Sequence, residues 1–330
     1  MSVVLTYIAQ KCFFAQARSR NKVTGFLARL GDTRNQARDD MAAQTFDDRD
    51  GWIWMNGKLV PWREAKVHVL THALHYASAV FEGERAYGGK VFKLREHNQR
   101  LIDSGKMLGF DVPYTVEQLD AATNETLKAN NIVDGYVRPI AWRGSEQMGV
   151  AAQATKINVA IATWEWPAYF SPEAKLKGIK LCMSKWRRPD PATIPAKAKA
   201  TGLYMICTLS KHDAEANGFA DALMLDWRGQ IAEATGANVF FVINGEIHTP
   251  KPDCFLDGIT RRSVIDLARK RQYKVVERAM QPDDMGKATE CFLTGTAAEV
   301  TPVASIADYK FAPGAITKNL MEDYDKAVRA

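Results

Sequence analysis

Pro191-Ala-Thr-Ile-Pro-Ala-Lys-Ala-Lys-Ala-Thr-Gly-Leu-Tyr204 is the stretch on which the reading of this 330-residue chain turns. Its two prolines fix φ at positions 191 and 195 and bias the residues before them toward extended geometry. Ala196, Ala198 and Ala200 alternate with Lys197 and Lys199, so an extended chain would carry both lysines on one face. After Gly202 the pattern becomes helix-compatible, from Leu203 to Ala216. A lysine set among small residues, where an extended segment enters a helix, is open to desolvation. Desolvation lowers its pKa and frees an amine for Schiff-base chemistry. Most lysines are solvated surface charges, so the pattern alone names no nucleophile.

The totals describe an ordinary globular protein, with 46% hydrophobic and 25% charged residues. No apolar run approaches the ~20 residues of a membrane helix, so no membrane role is expected. Of the net charge of +6, residues 1–40 hold +4 (seven Lys/Arg against three Asp), which leaves +2 for the remainder. That remainder carries no basic stripe with interleaved aromatics, so no nucleic-acid partner is expected. Cys12, Cys182, Cys207, Cys254 and Cys291 are odd in number and widely spaced. They read as reduced thiols of a cytoplasmic protein rather than as a disulfide framework or zinc site. Residues 1–40 share the Arg-rich composition of a mitochondrial presequence. Their apolar residues keep no helical period, however, which favours a poorly ordered extension over 1–45, with the functional chain starting at Met41.

From Gly51 the punctuation is regular. Trp52–Met55, Asn56-Gly57 and Lys58–Val60 form a hairpin signal, and Arg85–Tyr87, Gly88-Gly89 and Lys90–Leu94 a second. Val67–Leu70 reads as a strand and His72–Val80 as a helical turn or two. Glu96–Leu108 is an amphipathic helix with Leu101, Met107 and Leu108 on its apolar side, and a capping box at Thr115–Gln118 opens a helix to about Ala129. Tyr136–Trp142 and Ile157–Ala162 are strands. Pro167–Gly178 has the composition of a linker. A strand at 179–184 follows, then the lysine stretch, then a meander over 222–226, 230–234, 238–243 and 246–249. A helix over 258–271, strands over 275–279 and 291–293, and a helix over 321–328 complete the chain. The expected fold is α+β in two domains: a small α/β domain over 46–168, a linker over 169–178, and a larger β-rich domain over 179–330.

Some segments suit an anion. Gly258-Ile-Thr260 places free N–H groups at a helix start, and Leu293-Thr-Gly-Thr-Ala-Ala-Glu299 puts small hydroxyl residues after a strand. Each can equally be an ordinary cap or turn. Glu233 could pair with a protonated ring nitrogen or be a surface acid. His68, His72 and His75 have helix-like spacing, but the strand signal at 67–70 and the lack of a His-Glu-x-x-His pattern argue against a metal site.

Taken in order, these pieces resemble the branched-chain amino-acid aminotransferases, pyridoxal-phosphate enzymes of fold type IV, over about residues 50–310. The motifs are Lys66-Val-His-Val-Leu-Thr-His-Ala-Leu-His-Tyr76, Phe81-Glu-Gly83, Arg95-Glu-His-Asn-Gln-Arg-Leu101, Tyr136-Val-Arg-Pro139, Met148-Gly-Val150, Thr193-Ile-Pro-Ala-Lys-Ala-Lys199, Gly258-Ile-Thr-Arg261 and Gly295-Thr-Ala-Ala-Glu299. The resemblance implies transamination of L-leucine, L-isoleucine and L-valine with 2-oxoglutarate in a ping-pong cycle, with pyridoxal 5′-phosphate in the larger domain. It implies that Lys199 holds the cofactor as an imine and moves the proton, while Lys197 has no matching role. Glu233 is matched to the acid on the ring nitrogen and Tyr204 to the phenol on the ring oxygen. Arg100, Ile259, Thr260 and Thr296 are matched to the phosphate cup.

On the substrate side, Tyr136 with Thr296 and Ala297 is matched to the α-carboxylate site, and Arg138 to the second carboxylate of glutamate. Phe81, Trp166 and Tyr169 would line the apolar pocket. Tyr76 and Val150 are matched to residues contributed across a subunit interface, which implies a homodimer or homohexamer. Two positions depart from the pattern. Ala237 stands where Glu is usual, and Glu84 replaces an apolar residue, which would disturb the pocket rim. Rival readings are a D-amino-acid or other transaminase of this fold, an aminodeoxychorismate lyase, or a non-catalytic protein that kept the fold.

Overall fold

Asn56 and Gly57 both adopt positive φ (51° and 95°), as a two-residue hairpin turn requires, and pair Met55 with Lys58. The computed structural model that shows this describes residues 45–166 and 172–330. Gly51–Ala330 form one compact unit. Residues 1–44 of the expected extension, Tyr169, and the 167–171 part of the linker lie outside the described residues; Pro172–Lys177 is a short helix.

The first sheet has seven strands: β1 (Trp52–Met55), β2 (Lys58–Pro61), β3 (Ala79–Phe81), β4 (Glu84–Tyr87), β5 (Lys90–Val91), β6 (Gly135–Arg143) and β7 (Ile157–Glu165). They run in the order β2-β1-β7-β6-β4-β5, with β3 on the far part of β6. Helices Leu94–Met107 and Val116–Ala129 cover one face; the second starts at the expected capping box, where Gln118 N donates to Thr115 Oγ1. Leu101, Leu119, Val137 and Ile161 are fully buried between these layers. Met107 is exposed instead, because six residues beyond Leu101 a helix has turned about 120° off the apolar stripe.

Val67–Leu70 forms no strand. Thr71 N donates to His68 O at 2.9 Å, closing a turn, and Val67, Val69 and Leu70 are exposed with no ladder partner. The following helix is a single turn, His72–Tyr76, ended by Ala77 in the left-handed region. The three histidines go separate ways. His68 Nδ1 accepts from Leu70 N, His72 Nε2 contacts Gly149 O and His75 Nε2 contacts Val69 O.

The second sheet has nine strands: β8 (Ile179–Met183), β9 (Asp221–Leu225), β10 (Ile231–Ala234), β11 (Asn238–Ile243), β12 (Glu246–Pro250), β13 (Val275–Arg278), β14 (Ala288–Gly295), β15 (Glu299–Ile306) and β16 (Tyr309–Lys310). The path β10-β9-β8-β15-β14-β11 returns to β10 through one residue pair, Glu233 with Asn238, so six strands close into a ring. Alternation along β11 serves two cores. Val239 and Phe241 pack with Leu181, Leu223 and Leu293, whereas Phe240 and Val242 pack with Phe292, Val264 and Leu320. The last helix begins at Ala315, earlier than expected, because Thr317 N and Oγ1 both donate to the buried Glu290.

The lysine stretch is not extended. Ala196 N bonds Ile194 O and Ala198 N bonds Pro195 O, and these tight turns separate the two lysines. Lys197 is exposed beside Arg95 and Arg262, while Lys199 turns inward. Ala196, Ala198 and Ala200 are buried, and their small size lets the segment lie close to β3 and the helix Leu94–Met107. There Phe81 N donates to Lys199 O and Lys199 N to Ser104 Oγ, each at 3.0 Å.

Candidate active site

Lys199 stands where two cavities meet, one narrow and one of about 280 Å³. Its amine donates to the Tyr204 hydroxyl at 2.8 Å and sits 5.0 Å from the centre of the Phe81 ring. Burial, with repulsion from Arg100, lowers the lysine pKa against the pull of Glu82. A neutral amine is therefore easier to form here than at a surface lysine. Burial raises the Tyr204 phenol, so it remains a hydroxyl.

At one end of the narrow cavity is Glu233, on β10. Burial pushes its carboxyl up to about 7, against the pull of Arg188 and Lys199. Asn238 Nδ2 donates to Glu233 Oε2 at 3.3 Å. The same cavity also meets the start of the helix Ile259–Lys270, where no side chain caps the first turn. Gly258 is needed there because a Cβ would come within 2.3 Å of Asn238 Oδ1. Ile259, Thr260, Thr296 and Arg100 line the same space, as does Thr294, whose buried Oγ1 has no partner. Arg100 is fixed by Glu82, Nε to Oε1 at 2.6 Å and Nη2 to Oε2 at 2.8 Å, while His97 Nδ1 donates to Oε2 at 2.7 Å. Burial raises the Glu82 carboxyl, but Arg100 and His97 outweigh it and hold the group well below the usual carboxylate range.

The wider cavity is lined by Phe81, Tyr136, Arg138, Trp166, Thr296 and Ala297. Tyr136 lies 5.1 Å from both Trp164 and Trp166, centre to centre. The Arg138 guanidinium is 4.9 Å from the Phe81 ring centre and donates to the Tyr136 hydroxyl at 3.2 Å. Gly83 makes room for that hydroxyl, since a Cβ would come within 2.0 Å of it.

A pocket walled by Phe81, Tyr136 and Trp166, with Arg138 and the buried Asp221 also on its lining, thus adjoins a desolvated lysine, a buried acid and an uncapped helix start. The class IV amino-transferase family model matches residues 79–306. The chain is a class IV aminotransferase. Within that family it belongs with the branched-chain amino-acid aminotransferases. It is 40% identical over 284 residues to the branched-chain-amino-acid aminotransferase of Pseudomonas aeruginosa, covering 84% of this chain and 92% of that protein. The branched-chain amino acid aminotransferase of T.th. with pyridoxamine 5′-phosphate superposes with a TM-score of 0.82 at 41% identity, over 86% of this chain and 96% of that one. The same T.th. enzyme complexed with N-(5′-phosphopyridoxyl)-L-glutamate gives 0.81 at 40% identity, over 85% and 95%.

This aminotransferase has the two-domain α+β fold of its family and uses pyridoxal 5′-phosphate. Its residues fit that group. The uncapped helix start, Arg100 and the unpartnered Thr294 hydroxyl call for an anion, and Glu233 and Lys199 line the same space.

The fold brings together twelve of the fifteen expected site residues. Tyr76 and Val150 line neither cavity and are 43% and 88% exposed. Tyr169 falls outside the described residues. Glu84 does not reach the pocket rim. Strand alternation turns it, with Ala86, into the core under the first sheet, where it is fully buried. Glu82, Gly83, Arg188, Asn238 and Thr294 were missed. Glu82 and Gly83 lay inside a quoted motif, but nothing local shows that a carboxylate will meet an arginine eighteen residues on.

Proposed function

We propose that this enzyme moves the amino group of L-leucine, L-isoleucine and L-valine to 2-oxoglutarate in two half-reactions at one site. The observation that carries this is Arg138, the one arginine among the described residues lining the pocket beside Lys199, where it stands with Phe81, Tyr136 and Trp166. A branched apolar side chain fits against Phe81 and Trp166. A second carboxylate can enter only if a cation meets it, because burying it unpaired costs several kcal/mol. The T.th. enzyme's complex with a phosphopyridoxyl-glutamate supports an acidic partner.

The cofactor, when bound, supplies an aldehyde that carries the amino group and a ring that accepts electrons. Lys199 Nζ takes the proton from the substrate Cα, held by the Tyr204 hydroxyl until needed. The Glu233 carboxylate holds a proton on the ring nitrogen. Arg100, Thr296 and the amides of Ile259 and Thr260 hold the phosphate, and Tyr136 with the amides of Thr296 and Ala297 orients the α-carboxylate. The phosphate cup and ring partners then come mainly from the 179–330 domain, and much of the substrate wall from 46–168.

Tyr76 and Val150 belong on this reading to a subunit interface, in a homodimer or homohexamer. Val67, Val69, Leu70, Leu74 and Met148 are exposed in the same two segments, which the His72–Gly149 contact joins at 2.8 Å. The four described cysteines are free, which supports a reducing compartment such as the cytoplasm.

The test is to follow each half-reaction separately. Arg138→Ala should lower kcat/KM for glutamate about 100-fold and for leucine less than about 5-fold. Lys199→Ala should abolish turnover while Lys197→Ala changes it little. Equal damage to both half-reactions, or to both lysine variants, would refute the assignment.

A further inference from the structure

Trp186-Arg-Arg-Pro189 brings a second cation to the acid end of the site. Arg188 is 3% exposed, lines the narrow cavity, and places Nε 3.4 Å from Glu233 Oε1. That Nε is within ion-pair reach but makes no hydrogen bond, so its charge is directed at the carboxylate without being spent. The far side of the guanidinium is held by neutral groups. Nη1 donates to Leu203 O at 3.4 Å and contacts Cys207 Sγ at 3.3 Å. Burial pushes the Cys207 thiol up to about 11 against the pull of Arg188, so sulfur does not neutralise the arginine. The Asp226 carboxylate, on the strand segment that Arg188 bridges, is taken by Arg228.

Among the described residues, the titratable and charged groups facing Glu233 are therefore Arg188, Lys199, Tyr204 and Cys207. Tyr204 and Cys207 are neutral. Lys199 has to shed its charge to act as a nucleophile. Arg100 pairs through Nε and Nη2 with Glu82, and the charges that pull on Glu233 are those of Arg188 and Lys199. Arg188 cannot deprotonate, which makes it the permanent cation at this acid.

We propose that Arg188 is a positioning residue for transamination, holding the proton of the Glu233–cofactor hydrogen bond on the cofactor's ring nitrogen. The inference rests on reading Glu233 as the partner of that nitrogen. A buried carboxyl whose affinity for a proton is close to that of a pyridine would share the proton between the two. A fixed positive charge beside the carboxylate favours the arrangement of carboxylate and pyridinium over that of carboxylic acid and neutral pyridine. Only the protonated ring is an effective electron acceptor. Arg188 therefore acts on the reaction through Glu233 and touches neither substrate nor reacting atoms.

The test uses holoenzyme reconstituted with cofactor labelled with nitrogen-15 in the ring, whose chemical shift reports directly whether that nitrogen is protonated. Wild type and Arg188→Lys should give the pyridinium shift at about pH 8. Arg188→Gln should move toward neutral pyridine, with kcat down about 100-fold and KM within about 3-fold. An unchanged pyridinium shift in Arg188→Gln overturns the proposal. Glu233→Gln separates the two readings. If it leaves the shift unchanged, Glu233 is not the nitrogen's partner. If it moves the shift and Arg188→Gln does not, only the role of Arg188 falls. Should Arg188→Gln fail to fold, the wild-type shift between about pH 6 and 9 decides. A constant pyridinium value supports the proposal, and loss of the ring proton near neutrality overturns it.

Discussion

Two neighbouring residues, Gly83 and Glu84, show how much here depends on single side chains. Gly83 sits against the Tyr136 hydroxyl, and a Cβ would overlap it at 2.0 Å. Gly83→Ala should push that phenol away from Arg138, raising KM for every amino donor by about 10-fold while the protein stays folded, because the displaced group borders a cavity rather than a packed core. Steady-state kinetics with leucine and glutamate would check it. Glu84, one residue on, is fully buried, and neither carboxyl oxygen has a partner. Burial, with repulsion from Glu82 and Asp120 set against Arg100, raises its pKa well above the usual value. The folded state then binds a proton that the unfolded chain releases near pH 4.5, the ordinary value for the group. Stability is therefore full below that pH and falls as pH rises toward the folded pKa, by at most about 1.4 kcal/mol per pH unit for one proton. Glu84→Gln cannot ionise and should flatten this decline between about pH 5 and 8. Urea denaturation across that range measures it, and parallel slopes in the two proteins would show that Glu84 ionises freely when folded.

At the scale of elements, the second sheet owes its closure to one residue pair, and that pair carries the acid of the site. Asn238 sits opposite Glu233, donates to its Oε2 and also to Leu256 O at 3.0 Å, just before the helix Ile259–Lys270. One side chain thus ties two strands to the loop that enters the helix Ile259–Lys270, the segment proposed to meet the phosphate. Asn238→Ala should cost about 1–3 kcal/mol, since it leaves a buried carboxylate and a partly buried carbonyl each short of a donor. It should also weaken cofactor retention. Denaturation midpoints and dialysis against buffer without cofactor would register both losses, and a variant with unchanged midpoint would show that the ring closes without it. The chain reveals such elements unevenly. The Asn56-Gly57 hairpin, the Thr115 capping box and the four-strand meander are written in neighbouring residues, so they were legible. β15, which holds β8 to β14, is not legible in the sequence, because Pro302 and the small Ala304 and Ser305 mask its alternation. Val67–Leu70 misled in the other direction. Its β-branched residues look like a strand, but the sheet offers them no partner.

For the whole molecule, the order of motifs along the chain disclosed the family and most of the cavity wall, while the pairings that give the wall its chemistry stayed hidden. Glu82 with Arg100, Arg188 with Glu233 and Glu84 in the core each depend on contacts between separate elements, which no local pattern encodes. The same long-range construction makes folding and cofactor binding reinforce each other. The lysine stretch bonds to β3 and to the helix Leu94–Met107, and Tyr204, Glu233, Thr260 and Thr296 approach the same space from the second sheet and its helices. Cofactor filling that space must stabilise the folded chain by about 2.7 kcal/mol when its free concentration is 100 times the dissociation constant. The apoenzyme should therefore melt well below the holoenzyme. Lys199→Ala, which keeps the anion end intact, should recover part of the difference on adding pyridoxal 5′-phosphate and a smaller part with inorganic phosphate. Scanning calorimetry of both proteins with each addition would measure this. A Lys199→Ala protein indifferent to both ligands would mean that Arg100, Thr296 and the start of the helix Ile259–Lys270 do not form the phosphate cup.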